Sequence, residues 1–134
     1  MTQKNQLEED NSAQAFWLIQ MRETNALNQW VFLQFQSALG KNILEVGCGS
    51  GNFTVMIGNT GADLLAVDID ETFLEAARDA TRHQPQVNIE HRDITQSAWD
   101  GEFDTIVMLD VLEHLVDDVT LLKSLWRALA PGGR

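Results

Sequence analysis

Short apolar runs alternate with amphipathic stretches along most of this chain, and the alternation starts at Asn42. Asn42–Val46, Asp63–Val67, Val87–Arg92 and Phe103–Leu109 read as strands. Ile106-Val107-Met108-Leu109 is apolar without alternation, as in a parallel strand covered on both faces. Helical patterns fill the gaps. One runs from about Asn52 to Asn59, and Asn59-Thr60-Gly61 supplies the turn after it. Another runs from about Glu71 to Arg82, with Phe73, Ala76, Ala77 and Ala80 on the expected inner face, and Pro85 blocks its continuation. A short helix is expected at Val111–Leu115. A last amphipathic helix carries Val119, Leu122, Leu125, Trp126 and Leu129, and Pro131-Gly132-Gly133 ends it. Upstream, a long helical pattern runs from about Ala13 to Leu39. In it Leu27, Trp30, Val31, Gln34, Phe35, Ala38 and Leu39 repeat at helical spacing until Gly40.

Strands alternating with helices predict an α/β fold with a parallel sheet. Right-handed crossovers would bring the C-terminal ends of all four strands to one rim. Gly47, Asp68, Asp93 and Asp110 all fall at those ends. Such rims are where open parallel sheets bind ligands.

Size and charge narrow the classes. The chain has 134 residues, so one sheet-based domain is expected, residues 41–134, preceded by a helical segment over residues 1–40. Asp and Glu number 20 against 9 Lys and Arg, a formal net charge of −11, with no basic run. A phosphate backbone would be repelled, so nucleic acid is not an expected partner. Cys48 is the single cysteine, which rules out an internal disulfide and suits a reducing compartment. The first ten residues are too polar for a signal peptide, and no apolar run reaches the roughly 18 residues of a membrane span. The cytoplasm is the expected location.

The chemistry concentrates in Ile43-Leu44-Glu45-Val46-Gly47-Cys48-Gly49-Ser50-Gly51-Asn52-Phe53, a buried strand running into a glycine-rich turn and a helix. A second strand then ends in Asp68, 17 residues after Gly51. This is the layout of a nucleoside-binding crevice. A dinucleotide site would place a third glycine where Asn52 stands, and no Arg or Lys lies near the turn. The crevice gathers Glu45, Asp68, Asp93 and Asp110 instead. Acidic walls repel a pyrophosphate and suit a cation. S-adenosylmethionine carries a sulfonium, an ammonium and one carboxylate. Glycines would let the backbone approach it closely, and Asp68 could accept from both ribose hydroxyls. Asp93 lies where an adenine amino group needs an acceptor.

From Ile43 to its end the chain resembles class I S-adenosylmethionine-dependent methyltransferases, a Rossmann-like doubly wound family. Leu44–Gly51 is similar to their glycine motif, and Ala66-Val67-Asp68-Ile69-Asp70 to the ribose motif. Arg92-Asp93-Ile94 is similar to the adenine-side motif. Phe103–Val107 followed by Leu109–Leu115 is similar to the fourth-strand motif, and Leu129–Arg134 to the turn before a fifth strand. Five motifs stand in order at family-like spacing. The resemblance implies strand order 3-2-1-4 with flanking helices, followed in full-length members by strands 5 to 7, which this chain lacks. It implies that Gly47, with Cys48 and Gly49, faces the methionine part of the cofactor. Ile69 would pack on adenosine, Asp93 and Ile94 would bracket adenine, and Leu109 would line the site near the sulfonium. The N-terminal helix, with Asn28-Gln29-Trp30, resembles a lid helix of bacterial members found with glycosyltransferases or cell-surface polysaccharide pathways.

Several residues carry two readings. Asp68 could bind ribose or cap the following helix, a role open to Asp70 as well. Glu45, an acid inside a buried strand, needs a partner, either the glycine-loop backbone or a ligand. Asp93 could cap the turn at Thr95. Gly47, Gly49 and Gly51 could form an ordinary tight turn. Cys48 packs as a small side chain, since no His–Asn set accompanies it. Asp110, Glu113 and His114, at i, i+3 and i+4, would share one helical face and could hold a divalent metal. Without metal, His114 is the candidate general base.

The expected function is methyl transfer to a small-molecule O, N or C acceptor. The rivals are a nicotinamide-dependent oxidoreductase and a non-catalytic module that binds cofactor or a partner. With strands 5 to 7 missing, strand 4 would be an exposed hydrophobic edge, open to self-association, and this piece alone could be inactive.

Overall fold

A computed structural model describes residues 24–134. Residues 13–23 of the expected N-terminal helix lie outside that range. A helix, α1, spans residues 24–35. The chain then tightens into a 3₁₀ turn at Gln36–Ala38, so the α-helix does not run to Leu39. On α1 the Phe32 and Phe35 rings meet edge to face, and Gln34 Nε2 donates to the Trp30 carbonyl.

The compact α/β unit is Gln36–Arg134. Its strands are β1 (Asn42–Val46), β2 (Asp63–Asp68), β3 (Val87–His91) and β4 (Thr105–Met108). Its helices are α2 (Asn52–Gly58), α3 (Glu71–Ala80) and α4 (Asp118–Ala128). The sheet order is β3-β2-β1-β4, and every pairing is parallel. Strand order reverses between β1 and β4, which makes the C-terminal ends of that pair the natural ligand crevice. None of the described helices is long and apolar enough to cross a membrane.

Both faces of β1 are covered. Leu44 and Val46 join Val67, Ile94, Phe103, Leu121, Leu125 and Ala128 in one core cluster on the α4 side. Ile43 and Glu45 alternate onto the other face, where Glu45 meets Thr54 of α2. Leu74 and Ala77 are the buried residues of α3.

Two helix faces differ from expectation. On α3 the inward positions are Leu74 and Ala77, while Phe73 is 51% exposed. Capping by Asp70 starts the helix so that Leu74 faces the sheet and turns Phe73 toward the glycine loop. On α4 the core takes Leu121, Leu125 and Ala128, and Val119, Leu122 and Trp126 are exposed. The helix carries apolar residues on two stripes, and the stripe holding Leu121 and Leu125 faces the sheet.

Strand 4 is shorter than its apolar run, and Phe103 bridges Leu129 in parallel. Its outer edge is partly occupied. Arg134 N–H donates to the Asp104 carbonyl, and Ile106 N–H donates to the Arg134 carbonyl. These two bonds form a parallel rung on an edge expected to be bare. At the opposite end of the sheet the Asp104 carboxylate accepts from Lys41 and Asn42 N–H at 2.8 and 2.9 Å, tying the entry of β1 to that of β4.

Truncating Leu121 to Ala is expected to cost about 2–5 kcal/mol, whereas Leu122→Ala should cost under about 1 kcal/mol. Urea unfolding of the two variants measures this, and equal losses would contradict the assigned face of α4.

Candidate functional site

The glycine loop begins where β1 leaves the sheet. Gly47 and Cys48 N–H both donate to the Val67 carbonyl of β2, which bends the chain over the sheet edge. Gly47 and Gly49 hold positive φ, 73° and 53°, a region that L side chains rarely enter. A Cβ on Gly47 would lie 2.4 Å from Val111 Cγ2, so the loop and the segment after β4 touch there. Gly51 has φ 91°, and a Cβ on it would meet Ala77 Cα at 3.0 Å. That close approach lets the loop sit down on α3.

Asp68 ties this loop to the end of β2. Its Oδ2 accepts from Gly49 N–H at 2.8 Å, and its Oδ1 accepts from Asp70 N–H at 3.0 Å. The helix-capping role falls to Asp70, which accepts from Thr72 N–H. Each oxygen of Asp68 has a second lone pair for another donor.

A cavity of about 300 Å³ opens over the loop. Glu45, Val46 and the loop residues Gly47, Cys48, Gly49 and Ser50 line it together with Asn52 and Phe53 from the start of α2. Phe73, Val107, Leu109 and Asp110 complete the wall. The cavity therefore sits over the C-terminal ends of β1 and β4, at the reversal of strand order. Among the described residues no Lys or Arg contributes to the lining.

Glu45 is 4% exposed and accepts from Thr54 Oγ1 at 2.7 Å. Its partner is thus a helix hydroxyl, not the glycine-loop backbone. Burial pushes its carboxyl up to about 7, against the pull of the Thr54 bond and with help from the charge on Asp68. None of the ion pairs among the described residues involves it. Cys48 is buried, and burial with the charges of Glu45 and Asp68 pushes its thiol up to about 12. So inert a thiol is a packing group.

Other expected site residues stand apart from this lining. Ile69 is 67% exposed on the rim beside Asp68. Asp93 is occupied as a cap. Its Oδ1 accepts from the Thr95 hydroxyl and N–H, and its Oδ2 from Gln96 Nε2. The Thr95 bonds hold its carboxyl below the usual range. The Ile94 side chain is packed in the core cluster, so it is not presented at the rim.

Asp110, Glu113 and His114 do not share a helical face. Asp110 sits at φ 54°, outside any helix, and Leu112–His114 is a 3₁₀ turn with a different period. Asp110 reaches the cavity lining, and Glu113 and His114 do not. Among the described residues no three His, Cys, Asp or Glu groups come together as a metal site. Sequence reasoning missed Thr54, Ser50, Asn52 and Phe73 as part of the site. The position of Asn52 directly after the loop was the one available signal for a second wall on α2.

A family model described as a methyltransferase domain matches residues 44–134. The chain is 29% identical over 130 residues to a ubiquinone biosynthesis O-methyltransferase of Acinetobacter baylyi, covering 89% of this chain and 55% of that protein. It is similar to the crystal structure of an S-adenosylmethionine dependent methyltransferase from Mesorhizobium loti, with 26% identity and TM-score 0.67, covering 76% of this chain and 49% of that one. It shares its fold with a phosphoethanolamine N-methyltransferase of Haemonchus contortus in complex with phosphoethanolamine and S-adenosylhomocysteine. There the identity is 24% and the TM-score 0.65, over 72% of this chain and 22% of that one. The chain spans about half the length of the curated relatives it matches.

The raised Glu45 carboxyl has a consequence for stability. Its ordinary value is 4.5 and its folded value about 7, so between them the folded chain keeps a proton that the unfolded chain has lost. Glu45 therefore favours folding most below its ordinary value, and that contribution fades as pH rises through about 7, by on the order of 3 kcal/mol. The stability of wild type relative to Glu45→Gln should fall between about pH 5 and about pH 8 in urea titrations. A difference that does not change with pH would contradict this.

Proposed function

The chain belongs to the methyltransferase-domain family, and from that membership we propose that it binds S-adenosylmethionine for methyl transfer to a small-molecule acceptor. The cavity at the reversal of strand order carries this reading. It is lined by acids and bare glycine backbone, with no basic side chain among the described residues. Its chemistry fits an adenosyl donor with a sulfonium and an ammonium, and disfavours a pyrophosphate. A cavity of about 300 Å³ is at the small end of ligand sites, and Asp68 and Ile69, at the end of β2 and outside its lining, would take the nucleoside.

The roles follow from position. Glu45, Gly47, Cys48 and Gly49 wall the methionine end, and Leu109 and Asp110 face them across the crevice. Gly51 holds the loop against α3. Asp68 already orients the loop through Gly49, and its remaining lone pairs serve the ribose hydroxyls. Ile69 offers an apolar plate for adenosine. Asp93, with the backbone of Ile94, borders the adenine end. When bound, S-adenosylmethionine supplies a methyl carbon activated by its sulfonium. The chain's contribution is to fix the donor so that an acceptor atom lies in line at reacting distance. His114, on the turn beyond Asp110, is the candidate base for an acceptor that must lose a proton.

The names of the curated relatives favour an oxygen acceptor. Nucleic acid is disfavoured as acceptor by the net charge of −11.

Calorimetric titration tests the reading. S-adenosylhomocysteine should bind and NADH should not, and a chelator should leave the affinity unchanged. Asp68→Ala should weaken binding at least about tenfold, the scale of a lost charge-assisted hydrogen bond. Tighter binding of NADH would overturn the assignment. A methyl-transfer assay on the same sample separates turnover from binding alone.

A further inference from the structure

Glu45 sits in an unusual position for a carboxylate. It lies on the central strand of the unit, 4% exposed, between the core and the cavity. One neutral donor, Thr54 Oγ1, reaches it at 2.7 Å, and no cation pairs with it among the described residues. A buried carboxylate without a counter-charge must either gain a cation or hold a proton.

The titratable and charged groups around it are of the wrong sign to help. Asp68 approaches from the end of β2, and Cys48 from the loop above. Asp110 lies in the opposite wall of the cavity. Arg78 of α3 acts on Cys48, not on Glu45, and its guanidinium is paired with Glu71. Among the described residues the cavity wall provides no Lys, Arg or His.

We propose that Glu45 is a proton-exchanging gate for the cofactor cavity, protonated when the cavity is free and deprotonated when an ammonium-bearing adenosyl ligand enters. The inference rests on the S-adenosylmethionine reading above and goes beyond it by coupling occupancy to pH. In the free chain the proton neutralises the buried carboxyl. The ligand's cationic end then supplies the missing counter-charge, and the proton leaves to solvent. Atoms balance: one O–H bond of Glu45 is lost, and one proton appears in the buffer. The raised carboxyl, about 7 against an ordinary 4.5, puts the exchange in the neutral range. Because binding releases a proton, affinity must rise with pH below that value and level off above it.

The test is calorimetry of S-adenosylhomocysteine and of S-adenosylmethionine binding in buffers of different ionisation enthalpy. It should cover about pH 5.5 to about pH 7, below the range where an α-amine loses its own proton. Wild type should release a substantial fraction of one proton per ligand, with affinity rising toward the limit of about tenfold per pH unit. Glu45→Gln should bind with no such release and a flattened pH profile. Thr54→Val, which removes the hydroxyl that donates to the carboxylate, should shift the wild-type profile to higher pH. It also guards against a Glu45→Gln chain that fails to fold. In the free protein the ¹³C-carboxyl signal of Glu45 should titrate near neutrality and become insensitive to pH when ligand is bound. Binding without proton release, or the same release from Glu45→Gln, overturns the gate and leaves the cofactor reading standing. Absence of binding by either ligand overturns the cofactor reading and the gate with it.

Discussion

One hydrogen bond organises the site: the Gly49 N–H donating to the Asp68 carboxylate at 2.8 Å. It joins the turn after β1 to the end of β2 and fixes the height of the glycine loop above the sheet edge. The paired donation of Gly47 and Cys48 N–H to the Val67 carbonyl brings the chain to that point. Three positive-φ glycines then allow the path. Gly47 needs to be bare because Val111 is against it, and Gly51 because Ala77 is. The loop is therefore held from β2, from α3 and from the segment after β4 at once. Its shape is set by parts of the fold distant in sequence, the arrangement expected of a preorganised ligand cradle.

Electrostatics give that cradle its selectivity. Backbone and strand ends could serve many nucleotides, and the same sheet architecture hosts unrelated chemistries. Here the lining holds Glu45 and Asp110 with no basic residue among the described ones, and Asp68 stands at the end of β2. Among the described residues the Thr54 hydroxyl is the hydrogen-bond partner of Glu45, and burying such a carboxyl is costly unless a proton or a cation joins it. The raised carboxyl of Glu45 thus links the stability of the fold to pH.

The sheet was legible because its strands are short apolar runs bounded by turn residues. Asn42–Val46 appears at the bounds its pattern predicts, and β2 gains only Asp68. That Asp70 could take the capping of α3 was legible too, since it follows the strand end at Asp68 as a second acid. Helix faces were harder to read. Leu121 and Leu122 are chemically identical neighbours, and only the docking of α4 decides which is buried. Asp110, Glu113 and His114 were misplaced because a helical period was assumed where the backbone takes a left-handed residue and a 3₁₀ turn. Thr54 escaped notice because its bond to Glu45 crosses from helix to strand, and no local spacing rule encodes that contact. The occupied rung at Ile106 depends on how the segment after α4 returns to the sheet, which no strand-level pattern contains.

Amide chemical-shift mapping during titration with S-adenosylhomocysteine tests the central claim most directly. The account predicts that the largest changes fall on Gly47, Cys48, Gly49, Asp68 and Ile69, with smaller ones at Leu109 and Asp110. Changes concentrated instead on the opposite end of the sheet, around Lys41, Gly61 and Asp63, would contradict it.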